Sequence, residues 1–311
     1  MAPGCRLVLS ALLIALLVAT PALAHVPLFA RDGSSSDSAF VVEDPAKSWV
    51  IYDTLPDGPP AARYYRFRME EGGERIYATL QVPRAGGFVP GMVLTGGPGI
   101  VNSGTVPPYV AVPEGTGATA VPGGNLPGQP EYEPFTPSKL YELARIDTAA
   151  PQTGDYTLAV YTPEEGGNYA LALGYVESYT LGEWVRVPID VVAIHRHEGG
   201  QPLLLIFAPM IAVLVTGGAA LLLRSRRPPF SPPFALFAAI VGLLYIGSGA
   251  MTLMQMVIAA VGTDAGGAAL LLTLVFAVIP PFSSGSGRSW WPSAGTSGPG
   301  RSASPWRRSA L

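Results

Sequence analysis

The run Leu203 to Leu223, LLLIFAPMIAVLVTGGAALLL, constrains this chain more than any other feature, because it has no charged residue over 21 positions. As a helix rising about 1.5 Å per residue, it matches the roughly 30 Å hydrocarbon core of a bilayer. A transmembrane helix is expected at 203–223. Arg224, Arg226 and Arg227 follow at once, and the positive-inside bias puts that loop in the cytoplasm. The part before the span then lies outside, in an extracytoplasmic compartment.

A second span is expected at 234–261, where Gln255 is the only strongly polar residue and Gly242, Gly247, Gly249 and Ala250 offer a close-packing face. A third, at 268–282, is short at about 15 residues against the ~20 a spanning helix needs. Three spans return the tail, 283–311, to the cytoplasm, in agreement with its Arg301, Arg307 and Arg308. Two readings of that low-complexity tail are open: a basic segment held near the anionic inner leaflet, or a reading frame shifted in GC-rich DNA. The expected location is the plasma membrane, with the lipid bilayer itself as one partner.

Charge divides along the same line. Of 22 Asp and Glu residues only Asp264 lies beyond residue 200, while seven arginines do. The N-terminal part is therefore acidic, which argues against a nucleic-acid partner, since such affinity comes largely from Lys and Arg on phosphates. Residues 1–24 read as a signal peptide: Arg6, an apolar run from Leu7 to Val18, and an Ala22-x-Ala24 cleavage pattern. The sole cysteine, Cys5, falls in that segment, so the domain at 25–177 has no disulfide to lean on.

Within 25–177 the pattern is that of strands. Ser48 to Leu55 is the first good one. Tyr64 to Met69 and Arg75 to Val82 alternate apolar and polar residues on either side of Glu70-Glu-Gly-Gly-Glu74, which predicts a hairpin with Phe67 and Leu80 inside and Arg66 and Arg68 outside. Val89 to Leu94, Leu140 to Ile146, Tyr156 to Thr162 and Tyr169 to Val176 add strands. Gly96 to Pro137, rich in Gly and Pro, reads as a loop insertion. Together these predict a mainly β ectodomain, an antiparallel β-sandwich, followed by a transmembrane region of about three helices.

The stretches YYRFRMEEGGERIYATL and APQTGDYTLAVYTPEEGGNYALAL resemble the pre-peptidase C-terminal domain of bacterial and archaeal secreted proteins. The resemblance covers residues 48 to 177. It implies a jelly-roll-like sandwich serving as an accessory module, with no catalytic residues of its own, on a prokaryotic protein.

The juxtamembrane segment, 178–202, breaks the alternation. Trp184, Val187, Val191 and Ile194 stand at helical spacing, and Trp184 with His195 and His197 suits a membrane-surface helix. A last strand over Val185 to Val192 is the other reading.

Catalytic chemistry finds little footing. With only His25, His195 and His197, a His-based triad would have to use the N-terminus or the membrane rim, so no enzyme and no cofactor are expected. The spans carry no ionisable group of the kind found in ion or proton pathways. Two non-enzymatic functions remain: a surface binding or adhesion module of unknown ligand, or an accessory subunit of a transport or secretion complex. A third, sharper idea is a copper site at His25, should cleavage make it the first residue, with its amine and imidazole as nitrogen ligands.

Overall fold

The computed structural model describes residues 25–84, 87–124, 130–134, 136–223 and 232–261, with isolated residues up to 274. The expected signal peptide with Cys5, the basic tail and Arg224 to Arg227 lie outside the described residues, as do all but isolated residues of the third span.

Eleven strands form among the described residues: β1 Val26–Phe29, β2 Phe40–Val42, β3 Trp49–Leu55, β4 Ala61–Met69, β5 Arg75–Val82, β6 Gly91–Thr95, β7 Ala118–Val121, β8 Glu131–Glu133, β9 Ser138–Ala149, β10 Gly154–Thr162 and β11 Gly167–Leu173. Helices α1 Leu181–Gly199, α2 Leu203–Leu223 and α3 Pro232–Ala260 follow. The strands make two sheets, ordered β1-β3-β11-β5-β9-β8 (sheet A) and β2-β4-β10-β6-β7 (sheet B). One apolar core lies between them, with Ile51, Leu55, Leu80 and Leu171 from sheet A meeting Tyr65, Phe67, Leu94 and Leu158 from sheet B.

The expected hairpin is corrected. β4 pairs with β10 and β2 in sheet B, whereas β5 pairs with β11 and β9 in sheet A. The Glu70–Glu74 turn therefore crosses from one sheet to the other. Alternation fixes which face is buried but not which strand is the neighbour, so Phe67 and Leu80 do point into one core, from opposite sides. The crossing is tied to the turn before β10: Gly73 N–H donates to the Ala150 carbonyl (2.8 Å) and Ala150 N–H to the Glu74 carbonyl (2.7 Å). Gly73 has φ +91°, a conformation that L side chains rarely adopt.

The sheets are mixed rather than purely antiparallel. Short strands β1 and β2, absent from the sequence reading, run parallel to β3 and β4 at the sheet edges. At three or four residues they are too short to show a period.

Both sheets are covered outside as well as inside, which explains why β6 and most of β10 and β11 are buried on both faces. Over sheet B the cover comes from the Gly/Pro-rich stretch. Val110, with Val106, Tyr109 and Val112, packs on Val93, Ala159 and Tyr161, and the Ala111 N–H donates to the Tyr64 hydroxyl (3.0 Å). The expected insertion is thus part of the packed domain. Over sheet A the cover is α1, whose Ile194 joins Val50, Tyr52, Ala170 and Ala172.

Helix α1 settles the alternative left open for 178–202. Thr180 and Glu183 form a reciprocal capping box, and Gly200 ends the helix at φ +60° with its N–H on the Arg196 carbonyl. A strand over Val185 to Val192 would need a ladder N–H that Pro188 lacks. Helices α2 and α3 are long and apolar enough to cross a membrane, and only 6% and 11% of their most apolar windows are buried. A core helix of a soluble protein would be mostly covered. The two pack on each other, with Gly247 close to Met210 and Gly217 close to Leu243.

Candidate functional site

The described residues bring most of the chain's unusual chemistry to one place, the seam where α1 lies on sheet A. At its upper end Lys47 Nζ meets Glu183 Oε1 at 2.6 Å. At its lower end the Arg84 guanidinium donates to the Gly199 carbonyl (2.8 Å), and the Asn168 amide donates to the His197 carbonyl. The helix, about 28 Å long at ~1.5 Å per residue, is thus fastened along the sheet at both ends. Only residues 200–202 separate it from α2.

Glu198 faces into this seam beside Ser138 and is 5% exposed; His195, on the same helix, is 4% exposed. Both carboxyl oxygens of Glu198 and the hydroxyl of neighbouring Ser138 are buried without a hydrogen bond of normal geometry, although the two side chains are near enough to interact weakly. Burial pushes the Glu198 carboxyl up to about 8; the Ser138 hydroxyl pulls down and the Glu133 carboxylate pushes up, each by less. At neutral pH the group is therefore mostly the protonated acid, with one donor and spare acceptor capacity. Burial holds His195 down at about 4, so its imidazole is neutral. His197 is also lowered by burial, against the Tyr169 carbonyl and Asp53, and its ring stands edge-on to Tyr52 with centroids 5.6 Å apart. Between its charged ends the seam thus buries polar side chains that are mainly neutral at neutral pH, which lessens the cost of their burial.

One strand over, inside the core, a second buried carboxylate is treated differently. Asp53 Oδ2 accepts from the Tyr65 hydroxyl (2.9 Å) and the Tyr169 hydroxyl (3.4 Å), with Arg63 Nε at 3.8 Å. Its Oδ1 accepts the Thr54 N–H (2.7 Å). The two tyrosines also bond each other, and burial raises both phenols well above their ordinary value.

Of the histidines singled out in the sequence, His197 comes to the seam, against Tyr52 and Tyr169, and His195 is buried on the same helix. Trp184 is in α1; its side chain lies outside the described residues. His25 stands elsewhere. It precedes β1, its Nδ1 bonds Ser48, and its carbonyl accepts from the Tyr179 hydroxyl (2.6 Å). Ser48 and the Tyr52 that carries His197 are four residues apart along β3, about 13 Å at ~3.3 Å per residue. His25 and His197 thus meet this part of the chain at different points, beside Ser48 and Tyr52. Among the described residues no group of three or more His, Cys, Asp and Glu is placed to hold a metal ion. Glu198 escaped sequence reasoning because a glutamate near a helix end ordinarily reads as solvated; the signal was its place among the apolar and His positions of one helical face.

No family model matches the chain, and no curated protein matches it. Solved structures do. A periplasmic inhibitor of g-type lysozyme, PliG of Aeromonas hydrophila, is 14% identical at a TM-score of 0.25, covering 44% of this chain and 96% of that one. PliG of Salmonella Typhimurium is 12% identical at 0.23, covering 44% and 98%. A mutant of the Escherichia coli inhibitor is 12% identical at 0.22 with the same coverage. The fold and the seam rest on the registers and contacts given above.

Proposed function

We propose that this chain is a membrane-anchored, extracytoplasmic, non-catalytic binding module, in which the two-sheet domain recognises a surface ligand and α2 and α3 hold it on the bilayer. The observation that carries the reading is how the spans use their polar groups. Gln255 is turned inward and bonds Gln201 reciprocally, at 2.9 and 3.1 Å. Thr216 and Thr252 return their hydroxyls to carbonyls of their own helices. Among the described residues the spans otherwise present mainly apolar side chains outward, with Tyr245 and Ser248 the exposed hydroxyls of α3, a surface that suits lipid. Recognition falls to the domain. The jelly-roll-like accessory domain of the pre-peptidase kind is the proposed relative, on the Pro151 to Tyr156 turn that leads into β10.

Two experiments test this. With Cys5 replaced by serine, Ser103→Cys should react with an impermeant reagent on whole cells and Ser225→Cys should not; the reverse would overturn the topology. In-cell cross-linking should then find the same partner on the full chain and on a chain whose residues 203–261 are exchanged for an unrelated helical hairpin. A partner that follows the native spans instead would establish the accessory-subunit reading.

A further inference from the structure

The outer side of α1 is the least expected surface of the domain. Leu181, Val185 and Ile189 are 82%, 71% and 71% exposed, and their spacing of four places them in one stripe. Pro188, also exposed, lies beside them. The acidic residues of the helix are all engaged or buried: Glu183 on Lys47 and the Thr180 cap, Asp190 beneath Arg186, and Glu198 in the seam. Its two arginines are not buried. Arg186, 3.6 Å from Asp190, keeps a side chain 71% exposed, and Arg196, seven residues beyond Ile189, is exposed as well. The outer side is therefore apolar and cationic.

Position says what covers it. The stripe belongs to a helix that ends three residues before α2, and the main contacts between helices and sheets, α1 on β11 and α3 on β9, fall on sheet A. Sheet A is the side nearest the spans, with α1 as its outermost layer. Resting on the anchored reading above, we infer that α1 is an interfacial helix: Leu181, Val185 and Ile189 enter the headgroup–acyl boundary of the leaflet that α2 crosses, and Arg186 and Arg196 meet anionic headgroups. Sheet A then faces the membrane. Sheet B, with its cover at 100–117, faces away and is the side open to a ligand.

The test uses the full chain with Cys5 replaced by serine, nitroxide-labelled singly at Val185→Cys, Ile189→Cys, Ser103→Cys or Val215→Cys, in vesicles of phosphatidylcholine and phosphatidylglycerol at 3:1. Collisions with oxygen report lipid and collisions with a water-soluble nickel chelate report water. Labels at 185 and 189 should favour oxygen, with 103 favouring nickel, and Arg186→Glu with Arg196→Glu should move 185 and 189 toward nickel. The same shift is expected in pure phosphatidylcholine. Nickel access at 185 and 189 equal to that at 103 would overturn the inference and leave the stripe to a protein partner, while equal depth in both lipid mixtures would overturn the role of the arginines. Nickel access at 215 would mark a different failure, that of the anchor itself.

Discussion

Asp53 and Glu198 are both carboxyl groups taken out of water on the sheet A side of the same domain, and they are solved in opposite ways. Around Asp53 the chain supplies two tyrosine hydroxyls, a backbone N–H and a nearby guanidinium. Around Glu198 it supplies a serine hydroxyl out of normal hydrogen-bond geometry and another acid. A buried charge with several donors is held in place, whereas one without donors gives up its charge and becomes a neutral acid. The core between the sheets thus surrounds its carboxyl with hydrogen-bond donors, whereas the seam under α1 leaves the Glu198 carboxyl without a normal one. That difference marks the core as the fixed part of the domain and the seam as the part whose grip depends on protonation.

The largest effect should come from opening the core between the two sheets. Phe67→Ala removes a buried ring that stacks on Tyr156 and should cost about 3–5 kcal/mol, read by urea unfolding of the detergent-solubilised chain. Next comes the pH response of the seam. Between about 4.5 and about 8 folded Glu198 keeps a proton that the unfolded chain has released, so rising pH favours unfolding. Stability should fall by roughly 2 kcal/mol from pH 6 to 8, at ~1.4 kcal/mol per unit, and level off above pH 8. In Glu198→Gln that contribution should vanish; an unchanged slope would assign the pH response to another group.

Tyr65→Phe takes one donor from Asp53 while Tyr169 and Arg63 remain, and should cost about 1.5 kcal/mol, as for a hydrogen bond to a charged group. The smallest effect belongs to the other carboxyl. Ser138→Ala removes a hydroxyl that makes no hydrogen bond of normal geometry and acts only weakly on Glu198, so unfolding should change by no more than about 0.5 kcal/mol in either direction, and a loss above about 1.5 kcal/mol would show a full Ser138–Glu198 hydrogen bond.

The sequence made the strands of the core legible wherever alternation was strong. Phe67, Leu80, Leu158 and Leu171 sit where period two puts them, and the apolar runs at 203–223 and 234–261 are the two long helices. Partnership was not legible. The Glu70–Glu74 turn has hairpin chemistry, yet it joins two sheets, because the backbone register that pairs β4 with β10 depends on a segment more than 80 residues away. The Gly/Pro-rich stretch from 96 to 124 hid its role for a related reason: ahead of the short strand β7, Val106, Tyr109, Val110 and Val112 pack on sheet B at positions that follow no period. In α1 the spacing of Val187, Val191 and Ile194 announced a helix, while the direction of His197 and Glu198 was set by sheet A. One helix with two apolar sides looks alike in sequence whichever side meets the protein.

Fastened to sheet A at both ends and followed after only three residues by α2, helix α1 should join the two-sheet domain rigidly to the spans, which a distance measurement tests directly. Nitroxides at Ser103→Cys, in the cover of sheet B, and at Leu221→Cys, on the exposed side of α2, would be placed in the full chain with Cys5 replaced by serine. Pulsed dipolar spectroscopy in vesicles should give one narrow distance distribution. A broad distribution, with the domain swinging about residues 200–202, would contradict the account.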